Sequence, residues 1–208
     1  MTIKIFGRKS SCNVQKVIWL CSEANISFET ENYGGKHGKT KEDFFKLKNP
    51  NSTVPVIDEN GFILYESNAI IRYLSNKYNI LKLKNNKQVA LSDQWMDWAS
   101  FTLAAPCATV TLNSLLLPLE KRDPEKILKA KSQVLSLLRI LDIQLLKSKF
   151  IIGDNFSLAD IPAGCWYNRC IKLDFDLSDY KGITSWGIRL AEREAFQKSI
   201  VLAPLPPN

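Results

Sequence analysis

Apolar and polar positions alternate along the first eighty residues in two different periods. Ile3-Lys4-Ile5-Phe6 has the period of a short strand, closed by Gly7. From 13 to 24 the period changes. Val14, Val17, Ile18, Cys21 and Ala24 recur at helical spacing, with polar Gln15, Lys16, Ser22 and Glu23 between them. Ile26-Ser27-Phe28-Glu29 alternates as a second strand, and the polar, Gly-rich loop Gly34–Lys39 follows. Next come a short helix over Lys41–Leu47, the turn Asn49-Pro50-Asn51-Ser52 and a strand over Val54–Ile57. Glu59-Asn60-Gly61 turns that strand into Phe62–Tyr65 as a hairpin, and Ser67 opens a helix carrying Ile70, Ile71 and Leu74. The order β-α-β, helical crossover, β-β-α predicts a mixed four-stranded sheet with helices on its faces.

Leu81–Lys87, rich in Lys and Asn, reads as a linker between a domain over 1–80 and a second over 88–208. Beyond it the pattern is wholly helical, with its best stripe at Ile127, Val134, Leu138, Leu141 and Leu145. Pro106 is expected to bend or divide the helix that contains Trp95-Met96-Asp97-Trp98. Phe156-Ser157-Leu158-Ala159-Asp160-Ile161 is a structural helix start: Ser157 and Asp160 form a capping box, and Phe156 and Ile161 a hydrophobic staple.

With 208 residues, 45% of them hydrophobic, the chain can bury a core without metal or disulfide, and its mixed charge excludes intrinsic disorder. Five cysteines without a close pair, and the single histidine His37, leave little material for a zinc site or a disulfide framework. No metal is expected, and reduced thiols in a cytoplasm are. No apolar run is read as a membrane span, and the first residues lack a signal-peptide core. The net charge of +7 is spread over both halves, whereas a nucleic-acid footprint would concentrate it on one element. No nucleic acid or membrane partner is expected; a mild positive field would steer anionic small molecules.

Three segments carry candidate chemistry. Ser10-Ser11-Cys12-Asn13 lies at the N-terminus of the first helix, where hydroxyl, thiol and amide groups can donate to an anion or simply cap the helix. At Val54-Pro55 a proline opening a strand invites a cis bond. A peptide-like ligand could then pair with the Val54 backbone, although an ordinary loop-to-strand proline reads the same way. Glu66-Ser67, at another helix start, suits an amino-acid head group, with Ser67 toward its carboxylate and Glu66 toward its ammonium, or else a plain N-cap beside a surface acid. All three sit at strand ends along one edge of the expected sheet.

Those segments resemble the cytosolic glutathione S-transferases of bacteria. The run Gly7–Trp19 looks like the family's opening, and Asn49–Ile57 and Glu66–Leu74 look like its glutathione-site segments. Gln94–Trp98, Gly153–Ile161 and Trp186–Leu190 resemble its second half. The resemblance implies a thioredoxin-like domain over 1–80 followed by an all-helical domain over 88–208 that contributes an electrophile site, in a homodimer. It implies glutathione as co-substrate, a small electrophile as partner, and a role in detoxification.

Carried over by residue, the thiol-activating hydroxyl falls on Ser11, with Asn13 beside it as a second catalytic candidate. Val54 and Pro55 would meet the cysteinyl part of glutathione, Glu66 and Ser67 its γ-glutamyl end, and Lys39 or Thr40 its glycyl carboxylate. Trp98, Thr102 and Trp166 would wall the electrophile. The chain departs from many relatives at Ser52-Thr53, where they carry Gly and often Lys, and at Cys12, which places a protein thiol between the two catalytic candidates. Alternative activities on this scaffold are a glutathione-dependent disulfide oxidoreductase, in which thiolate attacks sulfur, and a binding protein without catalysis.

Overall fold

The computed structural model describes residues 2–206. Residues 2–82, together with Glu194–Leu205, form one compact unit, and residues 83–193 form another. The sheet of the first unit runs β2-β1-β3-β4. Strand β1 (Ile3–Phe6) is parallel to β2 (Phe28–Glu31) and antiparallel to β3 (Val56–Glu59), which pairs in a hairpin with β4 (Phe62–Tyr65). Phe6 stands opposite Glu31 and Val56, and Val56 opposite Tyr65. The C-terminal ends of β1, β2 and β4 therefore share one edge with the N-terminal end of β3. The mixed four-stranded sheet and thioredoxin-like order match expectation. β3 begins two residues later than its pattern suggested, because Pro55 has no N–H for the ladder. β2 also begins two residues late, at Phe28, the partner of Ile3.

Helix α1 (Cys12–Glu23) is buried almost all round, which its polar positions did not suggest. Gln15 is 3% and Lys16 1% exposed. α1 packs against α3 (Ser67–Lys77), and the C-terminal segment covers it from another side. Trp19 meets Phe196 of α9 (Glu194–Phe196) with ring centroids 4.9 Å apart, and Ser199 Oγ donates to Ser22 Oγ at 3.0 Å. The helical domain expected over 88–208 thus gives up Glu194–Leu205 to the first unit. Beneath that edge, Phe6, Tyr33, Phe45 and Val56 form a buried cluster, Phe45 coming from α2 (Asp43–Lys48).

In the second unit a continuous helical stretch, Asn86–Leu116, contains α4 (Asn86–Asp97) and α5 (Ala104–Thr111), with π-helical turns over Trp98–Leu103 and Leu112–Leu116. Pro106 neither ends nor divides it. The widened turn just before, where the Ala104 N–H bonds the Ala99 carbonyl, adjusts the backbone ahead of a residue that cannot donate. By length and composition this stretch could cross a membrane, which no apolar run was expected to do. In the structure it packs against α6 (Pro124–Leu145) and α7 (Asp160–Lys172).

The stripe on α6 is buried from Val134 to Leu145, with Ile127 half-buried. Half of the expected capping box forms ahead of α7: the Asp160 carboxylate reaches back to the Ser157 amide, but the Ser157 hydroxyl donates to that carboxylate and the Asp160 amide bonds the Ser157 carbonyl instead. Asp160 accepts the Ser157 amide and hydroxyl, both at 2.9 Å, and also the Ile151 amide and the Trp186 indole N–H of α8 (Lys181–Ala191).

Candidate active site

Ser11 is the N-cap of α1. Its carbonyl accepts the Gln15 amide at 2.9 Å, its backbone is extended, and its side chain makes no capping hydrogen bond. The hydroxyl is half-exposed at the positive end of the helix dipole, a position from which it can donate to a thiolate. Gly7 brings the strand end close: a Cβ there would lie 2.5 Å from Val14 Cγ2 and 3.3 Å from Val54 Cβ. The β1–α1 turn and the turn before β3 meet at this glycine.

Val54 precedes Pro55 through a cis peptide bond and stands outside the β3 ladder, which starts at Val56. The turn before it is held by Asn49, 1% exposed, which sequence reasoning read only as a turn residue. Asn49 Nδ2 donates to the Thr53 carbonyl at 2.9 Å and to Thr53 Oγ1 at 3.2 Å, while Oδ1 accepts the Asn51 amide at 3.0 Å. Ser52 adopts φ +56°, the left-handed region that favours glycine.

The loop after β2 folds as a 3₁₀ turn over Gly35–His37, closed by a 2.8 Å bond from the Gly34 amide to the Gly38 carbonyl. Arg8 lies against it: a Cβ on Gly34 would stand 2.9 Å from Arg8 Nη1, and one on Gly35 2.9 Å from Nε. Lys39 is exposed, its ammonium 5.5 Å from the centroid of the Tyr33 ring, and Thr40 is half-buried next to it. The Gly34 position also approaches the Val54 methyls at 3.5 Å, so this loop, the β1 end and Val54 converge.

Glu66 caps α3 at φ +67°, ψ 109°, a conformation rarely adopted by residues other than glycine and often found at binding sites. The first intrahelical bond is Ile70 N–H to the Glu66 carbonyl. Ser67 is buried at the helix start. Its hydroxyl donates to Asn13 Oδ1 at 3.4 Å and accepts from the Lys16 ammonium at 3.2 Å; Lys16 also donates to Asn68 Oδ1 at 3.3 Å. Asn13, expected beside the thiol, therefore turns its carboxamide toward Ser67. Lys16 was missed because its neighbours in sequence gave it the pattern of a solvated position.

In the second unit, Trp98 and Thr102 share the π-helical turn Trp98–Leu103. Trp98 stacks edgewise on Trp95 at 5.1 Å. Thr102 opens onto a groove of about 400 Å³ with Pro106, Ser132, Gln133, Ser136 and Leu137. Trp166, on α7, is 8% exposed, and its indole N–H meets no hydrogen-bond partner. All five cysteines are buried and none is in a disulfide, and burial, aided by the charge of Glu59, pushes Cys21 up to about 12. Among the described residues no cluster of three His, Cys, Asp or Glu could hold a metal.

Two family models match this chain: the N-terminal domain of glutathione S-transferase over residues 5–86 and the C-terminal domain over 96–194. The Escherichia coli K12 protein named glutathione S-transferase GstB is 30% identical over 204 residues, covering 96% of this chain and 98% of its own. Glutathione S-transferase 3 of Zea mays is 26% identical, covering 99% and 96%. Among solved structures, the theta class glutathione S-transferase of Xanthomonas axonopodis pv. citri with glutathione bound aligns with TM-score 0.92 at 31% identity, covering 97% and 98%.

Proposed function

The chain belongs to the glutathione S-transferase family, and on that premise we propose that Ser11 activates the thiol of bound glutathione for attack on a small electrophile. It is a glutathione transferase, with glutathione as its co-substrate. The observation that carries the residue-level reading is the convergence of four segments at one sheet edge: Gly7 with Val54, Val54 with Gly34, and Asn13 with Ser67. A tripeptide laid along that edge has its γ-glutamyl end at Glu66 and Ser67, its cysteinyl backbone against Val54 beside Pro55, and its glycyl carboxylate near Lys39 and Thr40. Its thiol then points to the start of α1.

A free cysteine thiol has a pKa of about 8.5 and is mostly protonated at neutral pH. Donation from the Ser11 hydroxyl and the α1 dipole favour the thiolate, and each unit of lowering corresponds to about 1.4 kcal/mol. With a nitro-activated aryl chloride, the thiolate sulfur bonds the ring carbon and chloride leaves. Trp98, Thr102 and Trp166 are the electrophile contacts in this reading. Ser11→Ala should lower conjugation at least ten-fold while glutathione affinity stays within about three-fold. Unchanged turnover removes Ser11 from the mechanism.

A cytoplasmic setting is supported by the five reduced, buried thiols. Ile70, Ile71, Leu74 and Leu103 are fully buried within the chain and offer no surface to the proposed homodimer. Phe101, 79% exposed on the long helical stretch, remains for a partner copy to cover. Sedimentation at micromolar concentration tests this: a species of twice the chain mass supports the dimer, and a single-chain species refutes it.

A further inference from the structure

We propose that Lys16 is a positioning residue for the γ-glutamyl carboxylate of glutathione, acting through Ser67. The inference rests on the reading of Ser67 as the glutamyl-end contact and assigns a function to a side chain that does not reach the surface. A lysine 1% exposed inside a helix is uncommon, because removing an ammonium from water costs free energy unless fixed acceptors meet it. Here the ammonium reaches across from α1 to the first turn of α3, to Ser67 Oγ at 3.2 Å and Asn68 Oδ1 at 3.3 Å.

The direction of the Ser67 hydroxyl follows from that contact. A serine hydroxyl has one hydrogen, and an ammonium can only donate, so the Ser67 oxygen accepts from Lys16 and its hydrogen must point elsewhere. It points toward Asn13 Oδ1 at 3.4 Å, a long bond. A carboxylate at the start of α3 offers the same hydrogen a shorter, charge-assisted bond. It would also face the opening amides of the helix, which precede the first intrahelical bond at Ile70. Lys16 thus holds Ser67 as a donor and places a positive charge behind the site. Because Ser11 caps α1, the chain Lys16–Ser67–Asn13 ties the glutamyl end of the site to the helix whose start holds the thiol contact.

The test uses the full chain and calorimetric titration with two probes, glutathione and its analogue with the γ-glutamyl α-carboxylate converted to the carboxamide. Lys16→Met should weaken glutathione at least ten-fold yet change the analogue's affinity less than two-fold, and Lys16→Arg should recover glutathione binding to within about three-fold of the unmodified chain. At saturating glutathione, kcat for Lys16→Met should stay within about two-fold, with the loss appearing in KM. Should Lys16→Met not fold, Lys16→Gln decides on the same criteria. A Lys16→Met chain that binds glutathione as well as the parent, or loses both probes equally, overturns the proposal and leaves Lys16 a packing residue. Ser67→Ala separates the premise: if it binds glutathione like the parent, the glutamyl-end reading itself fails.

Discussion

Replacing Asn49 with Ala should damage both stability and glutathione binding, because one buried carboxamide holds the whole turn that leads to Val54. Its Nδ2 satisfies the Thr53 carbonyl at 2.9 Å, and its Oδ1 satisfies the Asn51 amide at 3.0 Å. Each such bond contributes about 1 kcal/mol net, and a backbone group left buried without a partner costs about 1–3 kcal/mol. Water can reach exposed Asn51 and Thr53, so each of the two stranded groups costs the lower part of that range, about 1.5 kcal/mol, and together they come to about 3 kcal/mol. For a chain of this size about 1 kcal/mol shifts Tm by about 2–4 °C, which gives a drop of about 6–12 °C. Thermal unfolding followed by circular dichroism reads it. The same variant should raise KM for glutathione several-fold with less effect on kcat, since Val54 is placed to bind and not to react. Asn49→Asp separates the two halves of the contact: it keeps the acceptor for Asn51 and sets a carboxylate against the Thr53 carbonyl, so it should bind glutathione no better than Asn49→Ala. A Tm within about 2 °C of the parent, with KM unchanged, would refute the assignment of the turn to Asn49.

Ser52→Gly should raise Tm by about 1–4 °C: relief of the left-handed strain, about 1–2 kcal/mol, exceeds the added unfolded-state entropy, and a lowered Tm would contradict it. Burial pushes the Glu59 carboxyl up, but hydrogen bonds from Lys77, Tyr73 and Tyr78 outweigh it and hold it below the usual range. Its stabilisation is therefore present above the unfolded value of about 4.3 and lost as pH falls through the folded one; Glu59→Gln should unfold more easily at neutral pH and lose less stability between about pH 5 and 3, and parallel denaturation curves would count against this. Cys21, pushed up to about 12, should resist iodoacetamide at pH 8 in a native variant whose other four cysteines are serine, and react once denatured; rapid native labelling would show the burial is wrong.

The order of elements in the first unit was legible because each apolar run has one clear period and each break carries a turn residue. The bond from the Ser157 amide to the Asp160 carboxylate was legible for a related reason: both partners lie within four residues. What the sequence hid was long-range. Lys16 and Gln15 read as solvated, since nothing local announces that α3 and the C-terminal segment close over α1. Asn13 looked like a thiol neighbour until Ser67, 54 positions away, was found to bond it. Pro106 looked like a break because the compensating wide turn has no sequence signature of its own. Ser11, Val54 and Ser67 could be placed along one sheet edge from the order of elements, but the close approaches there, Gly7 to Val54 and Asn13 to Ser67, have no signature in the pattern.

The return of Glu194–Leu205 to the first unit makes that unit discontinuous in chain order. As the chain leaves the ribosome, β1 through α3 emerge early, yet Trp19 lacks its Phe196 neighbour until roughly 110 further residues have been added, about 6–22 s at about 5–20 residues per second. Through that interval the outer side of α1, including its Trp, is open to chaperones or to other nascent chains. The first unit is therefore the first to be synthesised and among the last to be completed, and a premature stop anywhere in the helical unit would also leave it unfinished.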